Sequence, residues 1–150
     1  MKVLCGPTER KSIERLKDKV RKITRRNRGE KLTRVIEELN RATMGWVVYF
    51  RHASAKTHLQ RLDEWIRHKL RCYRLKQCKR AWGIARFLME RKVSETEAWK
   101  LALSGKGWWR LSLTPHASWA MNMKWWEEQG LQSLEKRYLE LQSDGNRRMR

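Results

Sequence analysis

Two strongly cationic segments bracket one that is apolar and electrically neutral, and this order limits what the chain can fold into. Residues 8–28 hold ten basic and three acidic side chains, residues 29–50 three of each, and residues 51–80 ten basic and two acidic. Over all 150 residues the formal net charge is +20. Such crowding opposes compaction unless a polyanion lies against the surface. A disordered basic tail is excluded, because hydrophobic residues make up 40% of the chain and nine are Trp. Disordered polybasic segments are poor in aromatics. The composition implies a folded cationic domain whose partner is nucleic acid. A chain of this length buries roughly 68–70% of its unfolded surface, so it needs neither disulfides nor metal to hold a core.

Cys5, Cys72 and Cys78 form no framework spacing and read as reduced thiols. The opening residues contain no apolar stretch of signal-peptide length. The longest run free of Asp, Glu, Lys and Arg, Leu111 to Met123, contains Pro115 and His116 and is too short for a bilayer. The expectation is a cytoplasmic protein with no membrane partner.

Periodicity predicts an all-α fold, a helical bundle with shorter C-terminal helices. A first helix is expected from Thr8, as N-cap, to Arg26, with Ile13, Leu16, Val20 and Ile23 on one stripe. Arg15, Lys19, Lys22 and Arg26 follow at spacings 4, 3 and 4 on another face. Asp18–Lys22 and Glu14–Lys17 are expected to pair, and Asn27-Arg28-Gly29 to close the helix. A second helix is expected from Lys31 to Phe50. Gly45 inside it costs about 1 kcal/mol relative to Ala, which suggests close approach of another backbone or a break. The third, Lys56 to Lys79, buries Leu59, Leu62, Ile66, Leu70 and Tyr73, with Trp65 at the edge. Arg67, Arg71 and Arg74 then form an exposed ridge. Further on, residues 80–91 read as a helix, Ser94-Glu95-Thr96-Glu97 as a capping box, and Ser104 to Gly107 as a turn before Trp108. Pro115 opens a short helix that Gly130 ends, and a last helix covers Leu131 to Gln142. The tail from 143 to 150 reads as basic and flexible.

The cationic faces are the candidate phosphate contacts: Arg15, Lys19, Lys22, Arg25, Arg26 and Arg28 on the first helix and its turn, and Arg67, Arg71, Arg74, Lys76 and Lys79 on the third. Trp46 and Trp65 belong to core stripes. Of Trp108 and Trp109, one is expected to pack and the other, with Lys106 and Arg110, to face the ligand; Trp108 is taken as that contact. Gly105-Lys106-Gly107 is no phosphate-binding loop, since the upstream Gly and the following Ser or Thr are missing. His68 and Cys72 lie one turn apart with Cys78 nearby, but lack the paired spacing of zinc ligands. Glu37-Glu38 and Glu127-Glu128 read as surface charges. No cofactor and no catalytic residue is expected.

An ordered set of segments resembles the maturase-specific domain of group II introns, domain X of the intron-encoded reverse transcriptases. The set comprises Lys17-Asp18-Lys19-Val20-Arg21-Lys22-Ile23-Thr24-Arg25-Arg26-Asn27-Arg28-Gly29, Val35-Ile36-Glu37-Glu38-Leu39-Asn40 and Gly45-Trp46-Val47-Val48-Tyr49-Phe50. It continues with Leu62-Asp63-Glu64-Trp65-Ile66-Arg67, Leu70-Arg71, Lys76-Gln77, Lys106-Gly107-Trp108-Trp109-Arg110-Leu111-Ser112, and Gly130-Leu131 to Arg137-Tyr138. The resemblance covers about residues 8–140. It implies a helical, polymerase-thumb-like domain over 8–142 that binds structured intron RNA and assists splicing. It also implies that residues 1–7 are the remnant of a palm–thumb junction. The catalytic Tyr-x-Asp-Asp motif is absent, and the only Asp are Asp18, Asp63 and Asp144, too few to cluster around two metal ions.

The leading expectation is a non-catalytic RNA-binding maturase domain. An alternative is the thumb of a split or truncated reverse transcriptase that docks on a separately encoded polymerase core and grips template and primer. A duplex-DNA-binding module and a remnant without a selected role complete the set.

Overall fold

Where apolar residues recur at spacings of three and four, the chain is helical, and the fold is all-α. The computed structural model describes residues 7–52 and 54–148. Among them are nine helices: α1 (Pro7–Ile23), α2 (Leu32–Phe50), α3 (Lys56–Gln77), α4 (Ala81–Glu90), α5 (Glu95–Ala102), α6 (Trp108–Ser112), α7 (Pro115–Ala120), α8 (Met123–Glu128) and α9 (Leu134–Arg148). The expected junction at 1–7 lies outside the described residues apart from Pro7. α1 packs on α2, α2 on α9, α3 on both α6 and α9, and α4 on α5. Leu16, Val20, Val35, Ile36, Leu39, Leu59, Leu62, Ile66, Leu70 and Tyr73 are all buried in one continuous core. These are the expected stripes of the first three helices.

Several boundaries differ from the expectation. α1 ends three residues early, at Ile23. Thr24 turns its hydroxyl back onto the Val20 carbonyl (2.7 Å), and Arg28 donates to the Ile23 carbonyl (2.8 Å), so side chains close the last turn. Gly29 then takes the left-handed conformation the turn needs (φ 71°). Asp18 pairs with Arg21 at 2.7 Å instead of with Lys22, while Glu14 and Lys17 pair as expected at 3.8 Å. α2 runs unbroken through Gly45, and a Cβ there would meet no atom within 4 Å. Close backbone approach is therefore not the reason for that glycine. Such an approach occurs at Gly83, where any side chain would run into the Cys78 carbonyl. The helix opened by Pro115 stops at Ala120, and Asn122 caps a new one by accepting from Trp125 N–H (2.9 Å). α9 continues to Arg148, beyond the expected end at Gln142, so residues 143–148 are helical. Ser94 caps α5 as expected, accepting from Glu97 N–H.

α3 fastens its neighbours through buried polar side chains. The Asp63 carboxylate accepts from Ser133 Oγ (2.8 Å), Leu134 N–H (2.9 Å) and Glu135 N–H (3.0 Å), which caps the first turn of α9 from another helix. At the other end of α3, Tyr73 Oη (2.6 Å) and Gln77 Nε2 (3.0 Å) both donate to the Glu30 carbonyl and hold the α1–α2 turn. On a third side, α3 grips α6. Arg71 Nε donates to the Ser112 carbonyl (3.1 Å), the Cys72 thiol to Ser112 Oγ (3.1 Å), and His68 Nε2 to the Trp109 carbonyl (3.2 Å). The His68 ring also lies against the Trp109 indole, with centroids 3.4 Å apart. Across α2, Asn40 donates to the Gly130 carbonyl (2.7 Å) and accepts from Gln132 N–H (3.0 Å).

Two outcomes follow from these ties. Asp63→Ala leaves buried amides of α9 unpaired and should cost about 2–3 kcal/mol. A thermal melt should show a midpoint lowered by about 5–10 °C, while exposed Asp144→Ala should stay within about 0.5 kcal/mol of wild type. Burial pulls the His68 imidazole below its ordinary value, opposed by the Trp109 carbonyl and reinforced by Arg71 and Lys69. A lowered value means that the stability is fully present above the unfolded pKa, about 6.5, and is lost as pH falls through the folded one. Melts between about pH 7.5 and 5.5 should show a loss in wild type that is smaller in His68→Gln. An equal loss in both proteins would contradict the assignment.

Candidate nucleic-acid interface

The C-terminal turn of α1, the middle of α3 and the start of α6 meet around a groove of about 520 Å³. Its walls are Arg21, Thr24, Arg25, Arg26, Asn27, Lys69, Lys76 and Trp108. Five of these eight are cationic and none is acidic. The local folding that builds it is explicit. Ending α1 at Ile23 swings Arg25, Arg26 and Asn27 into the turn, and the Tyr73 and Gln77 bonds to Glu30 hold that turn beside α3. The bonds from His68, Arg71 and Cys72 fix α6, so Trp108 sits half-buried against the core with its carbonyl 3.6 Å from the Cys72 thiol.

Charge in the groove is poorly neutralised. Arg21 has Asp18 as its partner. Lys69 has no carboxylate within salt-bridge distance among the described residues. Its ammonium lies over two indoles instead, 5.6 Å from Trp65 and 5.3 Å from Trp109. Arg21 (5.4 Å) and Lys17 (5.9 Å) also approach the Trp65 ring. Three cations thus share one aromatic ring, an attraction worth about 0.5–2 kcal/mol each but set against their mutual repulsion. Burial pulls the Lys69 ammonium below its ordinary value; the Cys72 thiol opposes this, and Arg21 and Arg26 add to it. An anion entering the groove would relieve both.

The structure sorts the expected contacts by place. Arg25, Arg26, Lys76 and Trp108 come together in the groove, and Arg15, Lys19 and Lys22 lie exposed along the adjoining outer face of α1. Lys79, Lys106 and Arg110 are exposed but line no part of it. Lys79 stands in a left-handed turn after α3 (φ 64°).

Arg28 is otherwise engaged. It makes a two-pronged pair with Glu38 (2.9 and 3.1 Å) besides its bond to Ile23. This hydrogen bond holds the Glu38 carboxyl below the usual carboxylate range, so Glu38 is a clamp and not a free surface charge. The exposed ridge expected from Arg67, Arg71 and Arg74 is also corrected, since all three are half-buried. Arg71 is spent on the α6 carbonyl, and burial, with Arg67 adjacent, lowers its pKa. Arg74 stacks 4.3 Å over the Phe87 ring of α4.

Arg21 and Lys69 were not among the expected contacts. Arg21 gains its role where α1 approaches Trp65 of α3, which spacing within α1 does not disclose. Lys69 lies one turn from Trp65 on α3, a spacing that could have signalled it, and meets Trp109 of α6. Among the described residues, no three of His, Cys, Asp and Glu come together as metal ligands. No helix is long and apolar enough to cross a membrane among them.

No curated protein matches the chain with significance. Residues 13–91 match the family described as group II intron, maturase-specific domain. That match exceeds half of the sequence and takes in α1 from Ile13 onward and all of α2, α3 and α4, including both walls of the groove other than α6. The chain therefore belongs to the group II intron maturase-specific domain family.

Proposed function

We propose that the protein binds a structured group II intron RNA and assists its folding and splicing. The groove and the outer face of α1 form the contact surface. The observation that carries this reading is the convergence of five cations and no carboxylate on one groove. Folding an intron brings phosphates of separate RNA helices close together, and their repulsion opposes the compact form. A rigid body that presents ordered cations offsets this repulsion and releases condensed counterions. Contacts of this kind read backbone and shape. The bond-breaking and bond-joining chemistry belongs to the RNA, and the protein's part is to bind and position.

Filter binding across a salt series tests the reading. If about 6–10 phosphates are met, affinity should fall on the order of 10³–10⁵-fold between 50 and 200 mM salt. Arg25→Ala/Arg26→Ala/Lys76→Ala should bind more weakly and flatten the slope of log K against log salt by about 2–3, with a melting temperature no lower than that of wild type. Arg67→Ala/Arg71→Ala/Arg74→Ala should instead lower the melting temperature, because Arg71 and Arg74 hold α6 and α4. Wild-type affinity and slope in the groove triple variant would overturn the proposal.

A further inference from the structure

Resting on the RNA-binding reading, we propose that the groove is a seat for one unpaired nucleotide swung out of the RNA. Its base would lie on Trp108, and its flanking phosphates would be held by Arg21 and Lys69 on one side and by Arg25, Arg26 and Lys76 on the other.

Size is the first argument. A groove of about 520 Å³, open to solvent along one side, has room for about one small ligand. A paired A-form helix is far too wide to enter and would touch only the rim. The composition of the walls is the second. Tracking phosphates needs cations alone, as on the outer face of α1, where Arg15, Lys19 and Lys22 stand exposed. The groove adds an indole to its cations, and within an RNA it is an unpaired nucleotide that offers a flat π-face beside an anion. It adds Asn27 as well, whose amide both donates and accepts and so suits a base edge.

Rigidity is the third argument. Trp108 does not have to be ordered on binding, since it packs on the core and its backbone is fixed by Cys72. A stacking surface already in place saves the entropy of arranging one. Electrostatics is the fourth. Lys69 is held over two indoles with no carboxylate partner among the described residues, an arrangement that a phosphate oxygen would complete. Unpaired bases displayed outside the helix are the parts of a folded RNA that proteins read by stacking and edge contacts. The groove would thus add selectivity to a surface that otherwise reads backbone charge.

The test uses the full chain and three labelled RNA hairpins at one moderate salt concentration. One hairpin is fully paired, one carries a single unpaired uridine, and one carries an abasic residue at that position. Fluorescence anisotropy should show about tenfold tighter binding of the unpaired uridine than of either other hairpin, the size expected of one base–aromatic stack. Trp108→Ala should lose the preference and bind all three hairpins alike. Trp108→Phe, which retains an aromatic face and the packing, should keep most of it. Asn27→Ala, a change at an exposed turn, should reduce the preference without affecting the melting temperature. Equal wild-type binding of all three hairpins, or a preference that survives in Trp108→Ala, would overturn the seat and leave the RNA-binding reading standing. Failure of wild type to bind any of the hairpins would overturn both.

Discussion

α3 is covered on three sides, and the way its polar side chains are consumed there decides everything that remains free. Asp63 caps α9, Tyr73 and Gln77 hold the α1–α2 turn, and His68, Arg71 and Cys72 hold α6. Each bond joins segments tens of residues apart, and each satisfies a group that would otherwise be buried at a cost of about 1–3 kcal/mol. Apolar stripes bring the helices together. These bonds set how the turn after α1 and the start of α6 stand relative to α3. The groove is the space left between them.

That arrangement sorts the cations by role. A formal charge of +20 cannot all be free to bind without a large self-repulsion, and part of it is neutralised or stacked inside the fold. Arg28 is neutralised by Glu38, Arg74 is laid on Phe87, and Arg91 donates to the Ala120 carbonyl (2.8 Å) above the Trp125 ring. Arg25, Arg26 and Lys76 have no such use, Lys69 is stacked but not neutralised, and all four stand together beside Trp108. Their repulsion is part of the stored cost of the fold, which makes an anionic ligand a stabilising partner by mass action.

The helices were legible in the sequence because their stripes are long and regular: Leu59, Leu62, Ile66, Leu70 and Tyr73 admit no other period. Local caps are legible too, as at Ser94 and Pro115, and Asn122 carries a cap signal for the α7–α8 break. Contacts across the chain are not. Nothing local distinguishes Asp63 from a surface carboxylate, since the amides it caps lie about 70 positions later. Arg67, Arg71 and Arg74 keep ridge spacing on paper, but α6 and α4 lie against it. Lys69 stands one turn from Trp65 on α3, a spacing the sequence does show, but the second indole, Trp109, comes from α6. Periodicity shows which face of a helix is apolar; how many partners share the remainder is a tertiary matter.

The account rests on the claim that RNA lies in the groove walled by α1, α3 and α6. Ultraviolet cross-linking of the protein to a folded group II intron RNA, followed by mass spectrometry of the nucleotide-bearing peptides, addresses it directly. The account predicts adducts on Trp108 and on the peptides that carry residues 21–27 and 69–76. Adducts confined to α5, α8 or α9, with these peptides unmodified, would contradict it.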